Sequence, residues 1–138
     1  MSTKARQAVY AKFNTNSDLV NATYQSDADI KCGLYFNQVP EDTNVLTPYV
    51  VYNLRATMQE NEFCDSFDNT FLEFLVYDKT SATNVDNIVA LLNTTYNRQT
   101  LTYSDATHIG CIRQSEPGVL KLQDCWFGKI DFLLTYNG

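Results

Sequence analysis

The stretch from Thr70 to Tyr96 constrains the fold of this chain more than any other, because its hydrophobic period changes within it from two to 3.6. In Thr70-Phe71-Leu72-Glu73-Phe74-Leu75-Val76-Tyr77-Asp78, an extended backbone puts Leu72, Phe74 and Val76 on one face. Phe71, Glu73, Leu75 and Tyr77 take the other, with Glu73 marking the wetter side. Val85, Ile88, Val89, Leu92 and Tyr96 then recur at helical spacing, so a helix over 83–97 has one stripe that must be covered. Thr80, Ser81 or Thr83 supplies its N-cap. Asp86 in its first turn and Arg98 just past its last give the charge order that complements the helix dipole. A strand that feeds directly into such a helix calls for a sheet with the helix lying on it.

The flanking sequence supplies the rest of that sheet. Thr47-Pro48-Tyr49-Val50-Val51-Tyr52-Asn53-Leu54 is a strand with proline at its start, where a missing N–H costs no ladder bond. Tyr49, Val51 and Asn53 share one of its faces and Val50, Tyr52 and Leu54 the other, both largely apolar. Ile30 to Phe36 is strand-like but interrupted by Gly33, and Pro40 to Asn44 carries turn chemistry. Gln99 to Tyr103, His108 to Gln114 and Leu120 to Asn137 read as strands, with Glu116-Pro117-Gly118 as a turn. In the last, Trp126, Gly128, Ile130, Phe132, Leu134 and Tyr136 alternate with Lys129, Asp131 and Thr135. At the N-terminus, Ser2 or Thr3 caps a short helix with Ala5, Ala8, Val9 and Phe13 on one face. Residues 14–29 are polar and read as loop with at most one helical turn, anchored by Leu19, Val20 and Tyr24. The expected fold is α+β, one domain over 1–138. It is a mostly antiparallel sheet with two helices packed on one face, in the order α-β-β-β-α-β-β.

The sequence holds no reactive constellation. The five glycines are isolated, so neither a dinucleotide fingerprint nor a phosphate loop can be written. Cys32, Cys64, Cys111 and Cys125 form no C-x-x-C pair and His108 is the single histidine, which argues against zinc. His108 as a base for Cys111 or Cys125 is set against a structural or exposed strand histidine, and the latter reading is preferred. Asp27-Ala28-Asp29 and Glu60-Asn61-Glu62 place carboxylates two apart, and solvated loop charge is preferred over a divalent-cation site. No enzyme, cofactor or metal is therefore expected. The N-terminal segment lacks the apolar core of a signal peptide, and no apolar run approaches the roughly 20 residues of a membrane span. Reduced thiols in a cytoplasmic setting are the expectation. A net charge of −6 without a basic stripe excludes nucleic-acid binding by counterion release, though not DNA passing close by.

One segment stands apart. Residues 56–69 carry Glu60, Glu62, Asp65 and Asp68 with no basic residue, yet include Phe63 and Phe67. Two aromatic rings in an acidic connection either fold back over the sheet or present an anchor to another chain.

Several local phrases resemble the tail completion or tail terminator family of long-tailed double-stranded-DNA bacteriophages. They are the short N-terminal helix and Leu34-Tyr35-Phe36-Asn37-Gln38-Val39-Pro40 leading through a turn to Thr47-Pro48-Tyr49-Val50-Val51-Tyr52. The strand Leu72 to Asp78 followed by a helix beginning near Thr83, and a long final strand, complete them. The resemblance extends over about the whole chain, while the four cysteines and the Tyr-rich C-terminus depart from the family's commonest members. It implies a virion structural protein, assembled in the bacterial host cytoplasm, that forms a homo-oligomeric ring, a hexamer, on the head-proximal end of the tail tube. The ring stops tail polymerisation and presents a surface to the head connector or stopper, without catalysis. Its partners are other copies of itself, the tail tube protein and the head connector, with no sequence-specific nucleic acid and no membrane. DNA would pass through an acidic lumen that does not hold it. The interface residues expected on this reading are Tyr24, Glu41 and Asp42 in the turn 40–46, and Glu60, Glu62, Phe63, Asp65, Phe67 and Asp68. Another head–tail connector or minor tail protein is the near alternative. A small ligand-binding or accessory domain, with a pocket between the sheet and helix 83–97, is the distant one.

Overall fold

The computed structural model describes residues 3–24, 33–37, 47–56, 69–102, 108–115, 119–122 and 125–137. Its elements are α1 (Thr3–Asn14), α2 (Ser17–Ala22), β1 (Leu34–Phe36), β2 (Tyr49–Ala56), β3 (Asn69–Asp78), α3 (Ala82–Tyr96), β4 (Gln99–Thr102), β5 (His108–Ser115), β6 (Leu120–Leu122) and β7 (Cys125–Asn137). The strands form one sheet in the order β1-β2-β3-β7-β5-β4, with β6 paired to β7. All pairs are antiparallel except β1 with β2. The long β7 is the spine. It runs against β3 from Trp126 to Thr135, while its opposite edge is taken first by β6 and then by β5.

The alternation legible in β3 and β7 places the core. Leu72, Phe74 and Val76 lie beside Phe132, Ile130 and Gly128 in register, and all the side chains among them are fully buried beneath α3. Each residue of the predicted helical stripe, Val85, Ile88, Val89, Leu92 and Tyr96, is buried on the sheet. Gly128 sets how closely the helix approaches. A β-carbon there would stand 2.7 Å from Val85 Cγ1 and 3.1 Å from Val89 Cγ2, so a larger residue would push α3 off the sheet. Ala8, Val9 and Phe13 bring α1 onto the same layer, and the Tyr96 hydroxyl fixes it by donating to the Val9 carbonyl at 2.6 Å.

Several expectations are corrected. The described residues form three helices, not two, because Asn16 accepts from the Asp18 and Leu19 amides and so nucleates α2 in the polar stretch. Leu19 is the buried anchor of α2 and Val20 packs partly, but Tyr24 is 62% exposed. The inward position belongs instead to Thr23, whose hydroxyl donates to the Leu19 carbonyl and accepts from the Gly33 amide. The described residues after α3 contribute four strands, since Leu120–Leu122 is a strand of its own that pairs antiparallel with the start of β7. Helix α3 starts at Ala82 with Ser81 as its cap, which leaves Asp86 beyond the first turn. The negative charge at that helix end comes from Asp78. Its buried carboxylate accepts from the Thr80 and Ser81 amides at 3.3 and 3.2 Å and from Asn84 Nδ2 at 2.9 Å.

Candidate functional site

With the helices on one side, no described element covers the other face of the sheet, and strand register writes its surface row by row. At one end Tyr49, Tyr77 and Phe127 stand side by side across β2, β3 and β7. Tyr49 and Tyr77 stack at 5.3 Å, Tyr77 meets Phe127 at 5.3 Å, and Tyr35 of β1 closes the row edge-on against Tyr49 at 6.3 Å. Burial, and after it the neighbouring Cys125, pushes the Tyr49 and Tyr77 hydroxyls above the ordinary phenol value, so both rings are neutral at physiological pH.

The next row along the strands, Val51–Leu75–Lys129, brings in a charge, and the row after it, Asn53–Glu73–Asp131, is polar throughout. Asn53 Nδ2 donates to Glu73 Oε1 at 3.2 Å, and Lys129 Nζ reaches Glu73 Oε2 at 3.0 Å and Asp131 Oδ2 at 3.7 Å. Burial raises the Glu73 carboxyl, but the hydrogen bonds from Lys129 and Asn53 outweigh it and hold the group below the ordinary value. The Glu73 hydrogen bond, against a smaller opposing effect of burial, holds Lys129 above its own. A carboxylate depressed on folding stabilises the fold above its unfolded pKa, about 4.3, and loses that contribution as pH falls through the folded value. For Lys129 the contribution is present below about 10.4 and lost above. The stability difference between wild type and Glu73→Gln is thus expected to be flat from about pH 5.5 to 9.5 and to shrink as pH falls below about 4.3 and through the lowered folded value, with a plateau of about 1 kcal/mol or less. Urea titrations across pH would show this; a difference that did not shrink with acid would place the effect of Glu73 in packing rather than charge.

Beyond the polar row the face is apolar and open. Phe71 of β3, Leu133 of β7 and Ile112 of β5 are cross-strand neighbours, with Arg55 of β2 opposite Phe71. Phe71 is 37% and Ile112 56% exposed, and Leu120, opposite Phe127, is 58% exposed. Three large apolar side chains exposed on one sheet face form the kind of surface that contacts another protein.

A second feature lies on the helix side, at the sheet edge. Between α1 and β1 is a groove of about 400 Å³ lined by Arg6, Gln7, Tyr10, Leu34, Phe36 and Tyr52, among others. The Arg6 guanidinium lies 4.3 Å over the Phe36 ring, and the Tyr52 hydroxyl donates to the Arg6 carbonyl at 3.4 Å. Where Val85 and Val89 close directly on Gly128 there is no space between α3 and β7, while a smaller cavity of about 210 Å³ lies along α3 between Asn84, Ile88 and Leu91, Ala22 of α2 and Pro48 before β2.

Of the interface residues expected from the sequence, Tyr24 lies exposed just past α2. Glu41, Asp42, Glu60, Glu62, Phe63, Asp65, Phe67 and Asp68 lie outside the described residues. The open row of Phe71, Leu133 and Ile112 was not singled out by the sequence. The period-two pattern gives each strand its faces, but only register shows that these three stand together. Cys111 is buried on the core side of β5, and burial pushes its thiol up to about 12, so it is no nucleophile at neutral pH. Among the described residues no cluster of three metal-ligating side chains occurs, and no helix is long and apolar enough to cross a membrane. Comparison of the sequence with models of known protein families and with curated proteins finds no match.

Proposed function

We propose that this chain is a structural protein of the neck region of a long-tailed double-stranded-DNA bacteriophage. Copies close into a ring, a hexamer on the family resemblance, that caps the head-proximal end of the tail tube, ends tail polymerisation and helps join tail to head. The observation that carries this reading is the exposed apolar row Phe71–Leu133–Ile112 on a sheet face that no described element covers. A heterologous contact, in which one surface of a subunit meets a different surface of the next, closes into a ring when its rotation divides the circle. The open face offers one such surface, and the edge of the sheet at β1 offers another. Apolar rows drive the contact, and the polar Asn53–Glu73–Asp131 row between them, with Lys129 paired to both of its carboxylates, sets its register by charge. The acidic balance of the chain, 16 Asp and Glu against 10 Lys and Arg, suits a lumen through which DNA slides.

Sedimentation velocity of the purified chain, alone and with tail tubes of the same virus, tests this. Rings that bind tube ends are the expected result. Phe71→Ala with Ile112→Ser is expected to shift the ring population to monomer while the thermal midpoint changes by no more than a few degrees, both side chains being substantially exposed. A wild-type chain that stays monomeric and caps no tubes overturns the proposal. It would favour a small non-enzymatic ligand-binding or accessory domain, with the groove beside α1 as its site.

A further inference from the structure

We propose that the groove between α1 and β1 receives the acidic, phenylalanine-bearing segment 57–68 of a neighbouring copy of this chain. The inference rests on the ring reading, since it names the surfaces that meet between adjacent subunits.

Three observations carry it. The first is the shape and lining of the groove. About 400 Å³ of space is floored by Leu34, Phe36 and Tyr52 and walled by Tyr10, which is 41% exposed, so it has room and apolar surface for an aromatic side chain. The second is charge. Helix α1 carries Lys4, Arg6 and Lys12 and no acidic residue, in a chain whose net charge is −6. None of the described residues lining the groove is acidic, and Arg6 lies at it with its guanidinium held over Phe36. The third is the sequence of the segment. Residues 57–68 hold Glu60, Glu62, Asp65 and Asp68, no Lys or Arg, and Phe63 and Phe67 among those carboxylates. An aromatic anchor flanked by carboxylates is the complement of an apolar groove with an arginine at its rim. The guanidinium, already oriented by the ring beneath it, offers a planar fork to a carboxylate.

The location also fits a contact that propagates. The groove lies at the β1 end of the sheet, where β1 pairs only with β2 among the described strands. The segment leaves the sheet between β2 and β3, after Ala56 and before Asn69. Donor and acceptor are different parts of the chain, so every copy can give its segment to one neighbour and receive that of the other in its groove.

The test uses the full chain and two probes. The first is a labelled peptide with the sequence of residues 57–68, titrated by fluorescence anisotropy against the chain carrying Phe63→Ala and Phe67→Ala, whose own segment then competes poorly. Binding is expected, weakened about tenfold or more by Arg6→Gln in the receptor and by alanine at both phenylalanine positions of the peptide. The second is mixing. Chains with Arg6→Glu keep a donor segment but lose the groove, and chains with Phe63→Ala and Phe67→Ala keep the groove but lose the anchor. Each alone is expected to sediment as a monomer, and the mixture to form pairs that do not grow into rings. Circular dichroism and thermal melting of both variants confirm that each is folded, and Arg6→Gln serves in place of Arg6→Glu should the latter melt early. If the wild type forms rings that Arg6→Glu leaves intact and the peptide does not bind, the groove proposal fails and the ring reading stands. If the wild type is a monomer yet the peptide binds with the expected dependence on Arg6, the ring reading fails and the groove is a peptide site. Failure of the mixed variants to pair, although each is folded and the peptide binds, means that the segment fills the groove of its own chain, which also overturns exchange between copies.

Discussion

Phe74→Ala is expected to lower the stability of the fold by about 3–5 kcal/mol, the usual range for deleting a fully buried phenylalanine. Phe74 is fully buried on β3, and its ring lies 4.8 Å from Tyr96, 5.9 Å from Phe132 and 6.3 Å from Tyr52. These contacts join α3, β7 and β2, so the cavity is walled by three elements that cannot all close on it without moving the sheet. The damage extends one step further, because Tyr96 is the ring whose hydroxyl holds α1 through the Val9 carbonyl. Against a typical total of about 5–15 kcal/mol, a loss of this size leaves a domain of 138 residues marginally folded. Phe71, three residues earlier on the same strand but facing the open side, provides the contrast. Its replacement by alanine is expected to cost less than about 1 kcal/mol in the monomer and to act on assembly instead. Urea unfolding followed by circular dichroism checks both. A shift for Phe74→Ala no larger than that for Phe71→Ala would mean that the core does not rest on the Tyr96–Phe74–Phe132 cluster.

That contrast also shows where the sequence carries structural information and where it does not. The two faces of β3, the stripe of α3 and the alternation of β7 are properties of single elements, and local period reveals them because each is dictated by one chain direction. Helix α2 escaped the same reading because its six residues bury only Leu19, too short a stripe to register as periodic, and its start depends on the Asn16 cap. The hairpin of β6 on β7 escaped because both halves are strand-like, and the reversal between them leaves no break in that character. The candidate surfaces are legible least of all. Phe71, Leu133 and Ile112 come from three strands, and Arg6, Tyr10, Phe36 and Tyr52 from one helix and two strands. What assembles each set is pairing register and the docking of α1, quantities that depend on the whole fold. The acidic segment 57–68 behaves in the opposite way. Its composition alone marks it as unusual, and the groove supplies a complement for it.

Asp78→Ala is expected to be the most damaging polar substitution, at about 3 kcal/mol. The carboxylate is fully buried where β3 gives way to α3, and it accepts three hydrogen bonds, from the Thr80 and Ser81 amides and from Asn84 Nδ2. Alanine leaves those donors without their acceptor in a place water reaches poorly, which costs more than the net worth of the bonds themselves. It also removes a negative charge beside the positive end of the α3 dipole, whose own first turn holds no acidic residue. Ser81, by comparison, accepts a single bond from the Thr83 amide at 3.1 Å, and Ser81→Ala is expected to cost about 1 kcal/mol. Asp78→Asn keeps a carbonyl acceptor and should fall between the two. Thermal and urea denaturation of the three variants orders them; Asp78→Ala no worse than Ser81→Ala would show that water replaces the lost acceptor. Because α3 seals the core face and takes no part in the open one, the destabilised Asp78→Ala chain should still self-associate as wild type does at temperatures well below its melting point. Stability and assembly are then separable in this fold. Substitutions beneath α3 are expected to move the melting point, and, if the proposed ring forms, those on the open face or in the α1 groove the sedimentation coefficient.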